Sequence, residues 1–271
     1  MEDALAALKT EFRNRGWNRR PVGPVVFELA VHVSLALFGI ALFVWAEPLW
    51  LRALGMLIST YGSVGVGTNT HTATHYAASK HRWVNEVLAY FGYPFFLMLG
   101  ATFWRYRHIT LHHANPNVMG IDGDADFTPV FASTEEEVKQ GIGYFPRYQR
   151  FLFPFLAWLN SYLRQIGSWR HLLAILPDKS RRKPAHWADL IVMSLHLLAW
   201  FVIPSFFFPV THVIGFNLLR IGLLGYPLYC ILAPGHYPEK AFCIAKGAWK
   251  KDFVLLQTAT TINFRTGFLG G

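Results

Sequence analysis

His71-Thr72-Ala73-Thr74-His75 and His108-Ile109-Thr110-Leu111-His112-His113 decide how this 271-residue chain is read. Each stretch sets two imidazoles four residues apart, on one face of a helix, and the second adds His113 about 100° further round. Neutral imidazole is the commonest nitrogen ligand, suited to Zn, Fe, Cu and Ni. Five protonated rings converging at low dielectric repel one another and are poorly solvated, so a metal ion is the means of holding them together. A shared centre needs both stretches at one end of the molecule, because imidazole nitrogens bind within about 2.0–2.1 Å of the ion. The apolar segment between them, Val87 to Trp104, is therefore expected to enter and leave on one side of a membrane or to lie at its surface. Gly92, Pro94 and Gly100 supply the breaks that such a turn needs. A full crossing would part the two stretches by about 30 Å.

Outward from these stretches the sequence is apolar: 53% hydrophobic and 15% charged, with a mean hydropathy of +0.27 and 23 Phe, 11 Tyr and 10 Trp. Soluble domains carry about a quarter charged residues, and too few polar groups remain here to cover a surface in water. Four runs, 25–46, 49–69, 187–209 and 213–233, approach or exceed the ~20 residues of a transmembrane helix. The second carries Gly55, Ser59, Gly62, Ser63, Gly65 and Gly67, small residues that let helices approach closely in lipid. Residues 1–24 form a basic arm rather than a cleavable signal, since the run that follows is too long and lacks a small-residue cleavage site. With four spans, every Lys and Arg except Arg52 and Arg220 falls on one face. The positive-inside rule makes that face, and both chain termini, cytoplasmic.

The expected fold is thus an all-α integral membrane protein of one domain, residues 1–271. It has four transmembrane helices, a re-entrant or interfacial segment at 87–104, and a cytoplasmic histidine-rich helical cap of residues 105–186 and 234–271. Within the cap, the aromatic-rich piece from Tyr144 to Trp169 is expected to form helices lying on the membrane surface. The net charge of +9 is interspersed with apolar runs and forms no nucleic-acid-binding signature. Cys230 and Cys243 sit in no metal spacing and form no disulfide framework, so both are expected as reduced thiols.

A zinc protease would carry Glu within an HExxH box, whereas position 72 is Thr and neither box contains an acid. More than four histidines without a thiolate exceed one tetrahedral zinc and point to two redox-active ions, iron foremost, activating oxygen. Asp122, Asp124 and Asp126 are either partners that orient ligand imidazoles or a solvated acidic loop. His32 and His196 lie in spans as interior hydrogen-bonding residues, and His81, His171, His186 and His212 are expected at the interface. Arg220 and Asn217 should face protein, because an unpaired charge is costly in lipid.

HTATH at 71–75, HITLHH at 108–113 and the following NPNVMGIDGDAD at 115–126 resemble the first two histidine boxes of the integral-membrane fatty acid desaturases. Lys80, Asn85 and QTATTINFRTGFLGG at 257–271 are similar to that family too, and the resemblance covers residues 25–271. It implies two iron ions, O2 as oxidant, a fatty acyl lipid as substrate, and electrons from a separate donor, a ferredoxin or a b-type cytochrome with its reductase. It also implies a further ligand after the fourth span, where Ala233-Pro234-Gly235-His236 offers His236; a plain loop histidine is the other reading. The ligand set is then His71, His75, His108, His112, His113 and His236. The family's third box, (Gln/His)-x-x-His-His, has no counterpart up to Gly271. That is expected of a chain truncated from a longer polypeptide, and such a chain is expected to be silent or strongly impaired. The His-Pro-Gly-Gly motif of the fused haem domain in some relatives is absent, which again points to an external donor. The same boxes serve membrane hydroxylases, ketolases and alkane monooxygenases, and the stretch at 115–126 tilts the choice to desaturase. From another class, a non-catalytic bundle binding zinc, or haem through His32 and His196, stays open.

Overall fold

A computed structural model describes residues 2–128, 130–132, 134–143, 147–236, 240–244 and 252–263. Tyr144 and the sequence after Asn263, including the end of QTATTINFRTGFLGG, lie outside the described residues. After the short amphipathic α1 (Glu2–Asn14), Pro21 starts α2 (Val22–Trp45) and Pro48 starts α3 (Leu49–Thr74). The two long helices form a hairpin that fits only because glycines meet backbone. A Cβ on Gly39 would lie 2.3 Å from the Ser59 nitrogen, and one on Gly62 would lie 2.4 Å from that of Ala36. His32 is wedged against Gly65 in the same interface, but its buried Nδ1 has no hydrogen-bond partner among the described residues, so the expected hydrogen-bonding role does not hold for that atom.

Helix α3 continues past the apolar span's end at Asn69 to Thr74, so His71 is on the helix, as its spacing from His75 leads one to expect, and His75 caps it. Thr70 and Thr74 donate their hydroxyls to the Val66 and His71 carbonyls, which lets polar residues continue the helix without stranding donors. Tyr76, at φ 56°, then ends it in the left-handed region.

Next come α4 (Arg82–Tyr90), widening into a π-helical turn at Phe91–Leu97, and α5 (Ala101–Trp104), which widens likewise through Arg105–His112. The two halves meet at 105°. The break falls at Met98–Gly100, with Met98 at φ 58°, while Pro94 stays inside the widened turn. Backbone groups freed at the break are satisfied by protein, as a turn at membrane depth requires. Gly100 N–H donates to Ser168 Oγ at 3.1 Å, and Ala101 and Thr102 N–H donate to the Asp189 carboxylate at 2.8 and 2.9 Å. Gln165 reaches the Leu97 carbonyl at 2.9 Å.

The remaining helices are α6 (Glu135–Lys139), α7 (Gln149–Ile175), α8 (Pro184–Leu197, widening to Val202), α9 (Val210–Leu232) and α10 (Phe253–Thr260). Where the sequence suggested several surface helices, α7 is one continuous rod packed along α9. Trp158 fills the notch over Gly222, and the Tyr162 hydroxyl donates to the Leu218 carbonyl. His186, expected at the interface, is buried instead, its Nδ1 accepting the Lys183 N–H at the start of α8. His196 is interior, bonded through Nδ1 to the Phe95 carbonyl at 2.7 Å. Four helical segments are long and apolar enough to span a membrane: Val22–Trp45, Leu49–Thr74, Pro184–Phe206 and Val210–Leu232. Among the described residues there is no strand, only one isolated bridge between Val118 and Ile244.

Candidate metal centre

The end of α3 and the widened end of α5 meet through their histidines. His71 and His75 approach Nε2 to Nε2 at 3.1 Å, as their spacing of four on one helix face leads one to expect. The second stretch pairs differently. His108 meets His113, not His112, with their Nε2 atoms 3.1 Å apart, because His113 N–H bonds to the His108 carbonyl in the i→i+5 register of a π-turn. In an α-helix a step of five would turn His113 well away from His108. Ligand nitrogens of His71, His75, His108 and His113 all lie within 4.8 Å of one another.

His112 is turned to the side of this foursome, towards His236, with ring centroids 4.6 Å apart. The two sets stay contiguous, since the His112 ring lies 5.1 Å from that of His108 and 5.2 Å from that of His113. All six histidines named from the sequence are thus within one neighbourhood, four in a tight group and two beside it.

Partners behind the rings fix which nitrogen faces inward. His108 Nδ1–H donates to Asp124 at 2.9 Å and His112 Nδ1–H to Asp122 at 2.8 Å, leaving each Nε2 as a lone pair. Of the two readings of the acidic loop, the partner reading holds for Asp122 and Asp124, whereas Asp126 accepts from the backbone of Gly120 and Thr128. Asp122 is fully buried and also accepts the N–H groups of Asn117 and Asp124. Burial alone would raise the Asp124 carboxyl, but the Arg164 guanidinium, bonded to it, and His108 hold it well below the usual carboxylate range. Burial, then repulsion by His108 and His112, lowers the His113 pKa to about 3; burial and His112 lower His236 to about 4. Both rings are neutral at pH 7.

These features fit a metal. Nitrogens bound to one ion at about 2.1 Å and at right angles lie roughly 3 Å apart, which is the spacing of both Nε2 pairs. His236 Nδ1 is buried without a hydrogen-bond partner among the described residues, as a ligand atom would be in the absence of its ion. The set is all-imidazole and backed by carboxylates, without a thiolate. Substituting Asp122→Ala should weaken metal binding about 10–100-fold, checked by chelator competition against the unaltered protein.

Four contributors were not legible in the sequence. The Tyr93 hydroxyl meets His71 Nδ1 at 3.0 Å, and Trp104 stacks on His108 with ring centroids 4.3 Å apart. Arg164 arrives from α7, and no local signal marks it. Asn117, at φ 55°, donates its side-chain amide to the carbonyls of His236 and Thr260, tying the acidic loop to the segment that carries His236. His71, His108, His112, His113 and His236 line a cavity of about 240 Å³ together with Leu97, Leu99, Leu228 and Leu232.

Residues 48–270 match the family model described as fatty acid desaturase. The chain is 26% identical over 221 residues to the Delta(5) fatty acid desaturase fat-4 of Caenorhabditis elegans, a match covering 74% of this chain and 46% of that protein. It is 29% identical over 144 residues to an sn-1 linoleoyl-lipid 6-desaturase of Synechocystis, covering 52% and 38%. With the sn-1 linoleoyl-lipid 6-desaturase of Arthrospira platensis it shares 31% identity over 77 residues, 28% of this chain and 20% of that protein. The matches span less than half the length of these curated relatives.

Proposed function

The chain belongs to the fatty acid desaturase family, and on that premise we propose that it serves an oxygen-dependent desaturase that introduces a double bond into a fatty acyl chain at a histidine-held di-iron centre. The observation that carries this reading is the all-imidazole cluster beside a cavity partly lined by leucines, with His108 within it and the neighbouring His112 each backed by a carboxylate. His71, His75, His108 and His113 would hold one iron, and His112 with His236 would contribute to the other. When bound, the metal supplies the oxidising chemistry: O2 takes up two hydrogens from adjacent methylenes together with two electrons and two protons from outside, and leaves as two waters.

The chain's own residues bind, orient and exclude. Asp122 and Asp124 keep the protons of His112 and His108 on Nδ1, so that Nε2 stays free as a donor. Arg164 neutralises Asp124 and prevents it from turning in as a competing ligand. Leu97, Leu99, Leu228 and Leu232 offer an acyl chain an apolar wall beside the centre and keep bulk water from it. The electron donor is a separate protein, a ferredoxin or a b-type cytochrome with its reductase, and the basic residues gathered at the histidine end suit an acidic partner. By the positive-inside rule that end, with both termini, is cytoplasmic.

The test is expression of the encoding reading frame in a host with a simple fatty-acid profile, with oxygen and a donor system supplied. New unsaturated acyl chains in the membrane lipids are expected. Hydroxylated or keto products in their place would move the protein to another reaction on the same boxes, and an unchanged profile with iron bound would refute the reading.

A further inference from the structure

All lysines and arginines fall in the N-terminal arm, in 80–183 or in 240–265, except Arg52 and Arg220. Arg52 lines a cavity, and Arg220 touches two residues of that cavity's wall. The cavity measures about 550 Å³, within the range of ligand pockets, and shares no lining residue with the chamber at the histidines. Leu37 and Phe43 of α2, Phe95 and Phe96 of the widened turn after α4, and Phe216 of α9 make most of its wall apolar. Arg52 and His212 stand on its rim, both exposed, and no acidic side chain lines it. Arg220 stacks on Trp200, 4.0 Å from the ring centroid, and donates to Asn217; Trp200 and Asn217 are both cavity walls.

The position is the opposite end of the bundle from the metal centre. Arg52 lies in the first turn of α3 and His71 near its last, roughly 28 Å apart at 1.5 Å per residue. A lone basic residue at that end runs against the charge bias of the rest of the chain, so it calls for a local anion. Arg52 is set for one: its Nε donates to the Ala46 carbonyl at 2.7 Å, which pins the stem and leaves the end of the guanidinium at the exposed rim. Arg220 is fully buried, with Nε and Nη1 unbonded among the described residues, and adds positive charge behind the wall. A guanidinium at the rim of an apolar slot matches a phosphate above an acyl chain.

We propose that this cavity binds an anionic glycerophospholipid, one acyl chain in the slot and its phosphate at Arg52 and His212, as a resident lipid separate from the substrate. The shared chemistry, an acyl chain under an acidic head, also belongs to a free fatty acid, so the experiment carries both. The protein is purified from nanodiscs of equal phosphatidylglycerol and phosphatidylcholine, with and without oleate, and the retained lipid is counted by native mass spectrometry. One retained phosphatidylglycerol per chain is expected, favoured over phosphatidylcholine by about fivefold or more, the worth of one basic residue at a lipid headgroup. Arg52→Ala, a change at an exposed side chain, should remove that preference with thermal unfolding unchanged, and Ala199→Phe, which fills the slot, should remove retention of either lipid. Bound iron should stay the same in both variants, so the outcome is separable from the metal centre. Equal retention of the two phospholipids, a preference that survives Arg52→Ala, or replacement of the phospholipid by oleate would each overturn the proposal.

Discussion

Alanine at His108 is expected to strip the protein of bound iron, lowering its affinity for the metal by at least 100-fold. Removing a partner behind a ligand already costs 10–100-fold in affinity, and here the ligand itself goes. His108 is central to the group: its ring lies 4.9 Å from that of His71, 5.7 Å from His75 and 4.5 Å from His113. The same substitution leaves Asp124 with one partner fewer and opens a void against Trp104, so metal loss has to be told apart from unfolding. His113→Ala makes that distinction, because His113 is more open to solvent than the buried His108 and its removal leaves Trp104 and Asp124 their contacts with His108. It should lose metal to a comparable degree with its thermal unfolding in detergent unchanged. His81→Ala, an exposed histidine outside the cluster, should retain full iron content.

Lys80→Cys and Ser180→Cys, each in a background without Cys230 and Cys243, should be modified by an impermeant thiol reagent from the same side of sealed vesicles, and Glu47→Cys only from the other. The expected contrast is all or none. Lys80 and Ser180 are exposed positions flanking the bent segment and α8, and Glu47 is exposed at the turn between α2 and α3. The reason is the cluster: with ligand nitrogens of both boxes within 4.8 Å of one another, the chain from 76 to 107 has to return to the end it left. Its 105° bend, closed by Asp189 and Ser168, is the device that brings it back. Labelling of Lys80→Cys and Ser180→Cys from opposite sides would rule out the four-span arrangement.

What could be read in advance followed from local chemistry. The run of small residues from Gly55 to Gly67 announced a close helix pair, and Gly39, which meets Ser59 from α2, completes it. The return of the segment 87–104 followed from where its two ends had to go, although its break lies at Met98–Gly100 and Pro94 is absorbed by the wider turn. The pairing of His108 with His113 was hidden because a count of four assumes 3.6 residues per turn, and a π-turn changes the count. Asp122 and Asp124 were visible as candidates, but their burial was needed to separate a ligand partner from a solvated loop. Tyr93, Asp189 and Arg164 act across long sequence distances on hydrogen bonds that no periodicity reports. That the helical stretch is one element, α7, was not legible for a similar reason: its fit against α9 depends on Gly222 receiving Trp158, a match between two distant positions.

The most direct measurement is metal content and X-ray absorption on the purified protein reconstituted anaerobically with ferrous iron. Two irons per chain, ringed by imidazole nitrogens and oxygen donors with no sulfur, is the predicted result. Failure to bind iron, or a single tetrahedral zinc that iron does not replace, would contradict the assignment of His71, His75, His108, His112, His113 and His236 to a di-iron centre.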